Sequence, residues 1–205
     1  MDLALFDFDG TITTREMLPD FLRKAIPRRR LIIGQVLLAP LIFGYKAGWV
    51  SGVVVRAAIV RVGLSGMCAI KYQEHGVEFA ELVLPSVVRP EMLERIRWHR
   101  ERGDHVVVVS GAFDVYLSHW CKAHGLDLIC SSLETRHGRL TGRYSGKQCV
   151  RLEKARRVRS QYDLARFAVV YAYGDTPEDA DLLKLADRKY YQGAEVGVSR
   201  MGSNE

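Results

Sequence analysis

Three short apolar runs punctuate the chain, each followed by a glycine: residues 3–8 (LALFDF) before Gly10, residues 105–110 (HVVVVS) before Gly111, and residues 167–173 (FAVVYAY) before Gly174. Near-continuous apolar runs rich in β-favouring residues predict strands buried on both faces, as in a parallel sheet. A weaker run at residues 126–130 predicts a fourth strand. Helical patterns fill the gaps. Residues 90–102 open on Pro90 and stop at Gly103, residues 113–124 stop at Gly125, and residues 177–186 follow Thr176, a capping residue. Strand and helix in alternation predict an α/β fold with a Rossmann-like, doubly wound parallel sheet. Residues 133–135 and 140–144, on either side of His137 and Gly138, predict a small added hairpin.

Between the first run and Pro90 the pattern changes. Apart from residues 53–55, whose period is ambiguous, this stretch predicts three or four helices rich in Leu, Ile and Val. The 205 residues suit one buried core with an insertion better than two independent domains. The expected division is an α/β core of residues 1–14 and 85–205 and an inserted helical cap of residues 15–84. The cap contains the longest apolar stretch, residues 31–44 (LIIGQVLLAPLIFG), which is shorter than the roughly 20 residues of a spanning helix and is interrupted by Pro40. Arg28, Arg29 and Arg30 precede it and Lys46 follows. Two readings therefore stand: a core helix of the cap, or a half-buried element in peripheral contact with an anionic membrane. Residues 199–205 are small and polar and predict a frayed end.

Composition narrows the picture a little. With 48% apolar and 26% charged residues the chain is a folding one, which excludes general disorder. A formal charge of +6 favours anionic substrates or surfaces without naming one. The four cysteines, Cys68, Cys121, Cys130 and Cys149, form no CxxC pair. That argues against a zinc site or a disulfide framework and fits a reducing, cytoplasmic setting. Met1 leads straight into the first strand run, without the basic and apolar regions of a secretion signal, so export is not expected.

The candidate chemistry follows from the strand ends. In an open parallel sheet, ligands bind outside the carboxyl ends of the strands. There the first strand delivers Asp7, Asp9 and Thr11, the second Ser110 and Gly111, and the third Asp175, with Asp179 a helical turn later. Gathered carboxylates repel one another unless a cation joins them, and an oxygen-only set suits Mg²⁺. Lys154 would add positive charge, with Lys147 as its rival in the same basic run. Ser110 reads as a phosphate contact or a turn hydroxyl, and Asp179 as a site acid or as the capping partner of Thr176.

DFDGT at Asp7, SGA at Ser110, Lys154 in QCVRLEKARRV and GDTPED at Gly174 resemble, in order, the four motifs of the haloacid dehalogenase superfamily of phosphohydrolases. The resemblance implies that Asp7 is the nucleophile and that Asp9 is the general acid and base. It implies Mg²⁺ held by Asp7, Asp175 and the Asp9 carbonyl, with Asp179 behind them. Thr11, Ser110, Gly111 and Lys154 would hold the phosphoryl group. An insertion between the first two motifs resembles the subclass with a helical cap there, which includes phosphoserine phosphatases. Glu16, nine residues after Asp7, matches a substrate-contacting acid of those enzymes, or is a helix-start charge. Arg61 resembles their carboxylate-binding arginine, at a different spacing. Glu178 replaces the asparagine usual in their fourth motif. The cap's basic and apolar composition looks more like the phosphatidylglycerophosphatase branch. The implied substrate is a small-molecule or lipid phosphate monoester, with phosphotransferase or mutase as alternatives on the same fold. The basic run from Lys147 to Arg159 suggests a nucleic-acid module as a rival, but few aromatics interleave it and the acids oppose a polyanion, so no nucleic-acid partner is expected.

Overall fold

The computed structural model describes residues 1–197, so the expected frayed end lies outside the described residues. The strands are β1 (Leu3–Phe6), β2 (His105–Phe113), β3 (Asp127–Ser131), β4 (Leu133–Arg136), β5 (Arg139–Tyr144), β6 (Val170–Gly174), β7 (Arg188–Tyr191) and β8 (Ala194–Val196). The helices are α1 (Leu18–Ala25), α2 (Arg28–Lys46), α3 (Gly52–Leu64), α4 (Ala69–Leu82), α5 (Pro90–Glu101), α6 (Asp114–His124), α7 (Leu152–Gln161) and α8 (Ala180–Leu183). The fold is α/β and Rossmann-like.

Among the described residues, six strands form one sheet in the order β3-β2-β1-β6-β7-β8, parallel except for the last pair. β1 lies between β2 and β6 and has no exposed residue. Its side chains alternate between two cores. Leu3 and Leu5 pack with Val107, Val109, Ala172 and Val158 on one face, while Ala4 and Phe6 pack with Val108, Tyr171, Tyr173 and Trp120 on the other. Burying each large apolar side chain contributes about 1.5–3 kcal/mol, so LALF is fixed as the central strand without any polar alternation.

The elements differ from the expected ones mostly at their ends. β1 stops at Phe6 because Phe8–Ile12 coils into one wide turn with Gly10 at φ +82°. β2 runs past Ser110 to Phe113, with a register shift against β3 after Val109. β6 starts only at Val170, because Leu164–Arg166 forms a turn in which Asp163 accepts the Ala165 amide at 3.3 Å. The helix expected at residues 177–186 is a tight turn, Pro177–Asp179, followed by the short α8. Residues 53–55 are helical, inside α3. The hairpin β7–β8 gives no sequence signal, since the edge strand β8 is exposed throughout and β7 buries only Tyr190.

Helices α1 to α4 lie between β1 and α5 in sequence and close over the carboxyl edge of the sheet. α4 rests on α6, and Gly76 permits the approach: a Cβ there would fall 2.2 Å from the Val115 carbonyl oxygen. β4 and β5 join the two regions, with the Gly66 amide donating to the Leu140 carbonyl and the Ala69 amide to Gly138, each at 2.8 Å. Among the described residues no helix is long and apolar enough to cross a membrane.

Candidate active site

The switch in strand order around β1 places the ends of β1, β2 and β6 side by side. Asp7 follows β1 in an extended conformation and donates its amide to the Tyr173 carbonyl at 2.9 Å, which ties it to the end of β6. The wide turn then brings Thr11 back, so that its hydroxyl lies 3.0 Å from Asp175 Oδ1 and 3.5 Å from Asp7 Oδ2. Gly10 is required twice: its φ is +82°, and a Cβ would sit 2.2 Å from Asp175 Oδ2. Asp9 points elsewhere in the turn, where its Oδ1 accepts the Met17 amide at 3.1 Å.

Lys154 enters from α7 and is buried. Its Nζ bonds Asp7 Oδ1 and lies 2.7 Å from Asp179 Oδ1. Asp179 also accepts, at Oδ2, the amides of Asp175 and Thr176 at 3.2 and 3.1 Å. It therefore fills both roles left open by the sequence, bonding the lysine and tying down the turn that carries Asp175. Ser110 makes the turn bond, its hydroxyl accepting the Ala112 amide at 3.1 Å, and it also lines the cavity. Lys147 is exposed and outside this cavity, so Lys154 is the lysine of the site.

Asp7, Asp9, Ser110, Gly111, Lys154 and Asp175 line one cavity of about 310 Å³. Glu16 stands exposed at its wall. Arg61 does not reach it. Its guanidinium donates to the Thr141 carbonyl at 3.1 Å, because its side of α3 faces the β4–β5 hairpin. Arg15, Arg56 and Arg89 line the cavity instead, and of these Arg56, on the same helix as Arg61, has its Nη2 3.0 and 3.2 Å from the two Glu178 carboxylate oxygens and donates its Nε to Gln148 at 3.1 Å. Five residues along a helix turn the side chain well away, and the sequence held no signal that chose one arginine over the other. Tyr116, also missed, lines the cavity with a buried hydroxyl that has no hydrogen-bond partner among the described residues.

Burial drives the electrostatics. It pushes the Asp7 carboxyl up to about 7, against the lowering pull of Lys154 and with help from Asp179. Burial, reinforced by Asp7, pushes Asp9 up to about 8. Asp175 is raised for the same first reason. Burial alone would lower Lys154, but the Asp7 and Asp179 carboxylates outweigh it and hold the ammonium above its ordinary value. The site thus crowds more buried acid than one lysine neutralises. Asp7, Asp175 and Asp179 each bring an oxygen within 4.8 Å of the others, an all-oxygen set that suits a hard divalent cation such as Mg²⁺.

Residues 4–184 match the family described as haloacid dehalogenase-like hydrolase. Protein CicA of Caulobacter vibrioides is 32% identical over 197 residues, covering 93% of this chain and 85% of the relative. A protein of unknown function from Bordetella pertussis Tohama I has a similar structure, with TM-score 0.75, 22% identity and coverage of 92% of this chain and 88% of that one. A phospho-aspartyl intermediate analogue of phosphoserine phosphatase superposes with TM-score 0.65 at 22% identity, covering 92% and 84%.

Proposed function

The chain belongs to the haloacid dehalogenase-like hydrolases, and on that premise we propose that it is a Mg²⁺-dependent phosphomonoester phosphatase acting through an aspartyl-phosphate on Asp7. The observation that carries this reading is the convergence of Asp7, Asp9, Ser110, Lys154 and Asp175, from four separate segments, on one cavity. A Mg²⁺ ion held by Asp7, Asp175 and the Asp9 carbonyl would offset the repulsion between the attacking carboxylate and the anionic ester.

In the first step an Asp7 carboxylate oxygen bonds to phosphorus and the ester P–O bond breaks. The departing alkoxide takes its proton from Asp9, whose raised value keeps a proton available near neutrality. In the second step Asp9 takes a proton from water as the water oxygen bonds to phosphorus. The bond to Asp7 breaks, and inorganic phosphate leaves. Lys154 and Ser110 stabilise the phosphoryl oxygens, Lys154 also orients Asp7, and the free Tyr116 hydroxyl is available to a substrate oxygen. Asp179 acts by positioning Lys154 and the Asp175 turn. The core of residues 1–14 and 85–205 would carry the chemistry, and the cap of residues 15–84 would choose the ester and exclude water.

Phosphoserine is one candidate, as the reaction named for the structural neighbour. Here, however, Arg56 is already engaged by Glu178, so recognition of an amino-acid carboxylate by Arg56 would require releasing it. The test is release of inorganic phosphate from p-nitrophenyl phosphate with Mg²⁺. Asp7→Asn should lower the rate by at least about a thousandfold. Unchanged turnover in that variant, or an absolute need for a second phosphoryl acceptor, would overturn the reading.

A further inference from the structure

Resting on the phosphatase reading above, we propose that the ester is a membrane amphiphile: its phosphate reaches Asp7 while its hydrocarbon tail lies in the groove between α1, α2 and α3, and the outer face of α2 sits on the anionic bilayer that supplies it.

The groove has a volume of about 410 Å³ and is lined by Leu22, Ile26, Leu31, Leu38, Ile42 and Ile59, among others. Glu16, Leu18 and Arg56 line both this groove and the catalytic cavity, so the two spaces meet at their shared wall. A small phosphorylated metabolite would fill only the polar cavity. Two glycines help to keep the apolar space narrow-walled yet open: a Cβ on Gly34 would come 3.4 Å from Val62 Cγ1, and one on Gly63 would come 2.8 Å from Ile26 Cδ1.

α2 is apolar on every side, but only the stripe containing Leu31, Gly34, Leu38 and Ile42 turns inward. On its outer side Val36, Leu37 and Phe43 are 72%, 64% and 67% exposed, and Trp49 just beyond is 80% exposed. A helix that is apolar all round is normally buried or in contact with lipid, and here the chain covers one side. The charges choose the occupant. Arg28, Arg29 and Arg30 stand at the N-terminus of α2, where the helix dipole disfavours cations, and Lys46 at the other end, with no acidic residue between. Among the described residues, only Arg30 of the three arginines is used internally, donating to the Val62 and Ser65 carbonyls at 3.0 and 2.5 Å. An apolar face with cations at both ends is complementary to an anionic headgroup layer. A second copy of the same face would instead set arginine against arginine, or Lys46 against Arg28 and Arg29, with no acid on α2 to offset them.

Two measurements on the Mg²⁺-loaded full chain test this. The first is kcat/KM for monoalkyl phosphates from butyl to dodecyl, kept below micelle formation. It should rise about fourfold per methylene until the groove is full. Ile59→Trp should flatten that rise while leaving p-nitrophenyl phosphate turnover within about twofold, with a thermal melt to confirm folding. The second is sedimentation with vesicles of equal phosphatidylglycerol and phosphatidylcholine. The protein should pellet with these and not with phosphatidylcholine alone, and the double variant Val36→Glu, Leu37→Glu should stay in the supernatant. A flat wild-type chain-length series overturns the tail groove. Failure to bind the anionic vesicles, or a stable dimer that excludes them, overturns the membrane docking. In each case continued turnover of p-nitrophenyl phosphate leaves the phosphatase reading standing, whereas no turnover of any ester sinks that reading first.

Discussion

Replacing Lys154 with methionine keeps most of the side-chain volume and removes the charge that two buried acids share. In the native site Nζ bonds Asp7 and Asp179, and all three groups are almost wholly shielded from solvent. Breaking a buried ion pair costs about 3–5 kcal/mol, because the partner is left charged and unpaired. At about 2–4 °C per kcal/mol for a chain of this size, the melting temperature should fall by about 6–20 °C at pH 8. The two pairs share one ammonium, so their contributions do not add. The deficit should depend on pH. Asp7 already lies above its ordinary 3.8, at about 7, with Lys154 pulling it down, and without the lysine it moves higher. A carboxyl raised in the fold contributes stability that is full below its unfolded value and is lost as pH rises through the folded one. The deficit is therefore small near pH 4 and grows through pH 7 toward pH 8. Added Mg²⁺ should recover part of it at pH 8 by supplying another cation to the acids. Scanning calorimetry of the metal-free variant and the native protein at pH 5 and 8, each repeated with 10 mM Mg²⁺ (about a millimolar-range excess for a weak site), gives the answer. A melting temperature within about 3 °C of native at pH 8, or a deficit equal at both pH values, would refute the claim that Lys154 holds this cluster together.

Gly10→Ala should lose at least about tenfold in phosphatase rate, because its Cβ would collide with the Asp175 carboxylate, whereas Gly48→Ala, at a similar positive φ but in open space, should cost about 1–2 kcal/mol of stability and leave the rate unchanged. Equal rates in the two variants, measured on p-nitrophenyl phosphate, would refute the steric reasoning. Arg56→Ala breaks an ion pair whose side chains are 22% and 28% exposed, so stability should change by about 1 kcal/mol or less. KM should nevertheless rise about tenfold with kcat nearly unchanged, and Glu178→Gln, which frees the guanidinium, should lower KM for anionic esters. A changed kcat with constant KM in steady-state kinetics would place Arg56 in the chemistry instead.

The central strands and the acids at their ends were legible in the sequence for a simple reason. A strand buried on both faces must be apolar throughout, so LALF and HVVVV announce themselves, and carboxylates placed directly after such runs are costly enough to stand out. Because the turn after β1 is local, DFDGT also carries its own glycine requirement. The hairpin β7–β8 was not legible, since β8 is exposed throughout and β7 buries only Tyr190, too little to set a hydrophobic pattern. The choice of Arg56 over Arg61 was decided by the rotation of α3 against the β4–β5 hairpin, and the choice of Lys154 over Lys147 by where α7 meets the sheet. The unpaired Tyr116 hydroxyl and the groove that meets the cavity at Glu16, Leu18 and Arg56 likewise exist only once separate helices pack. Sequence by itself determined the central strands and the acids they present, because those follow from burial period and local turn geometry. Tertiary structure decided which cations join the acids and what shape of substrate can reach them, because both depend on the relative placement of elements far apart in the chain.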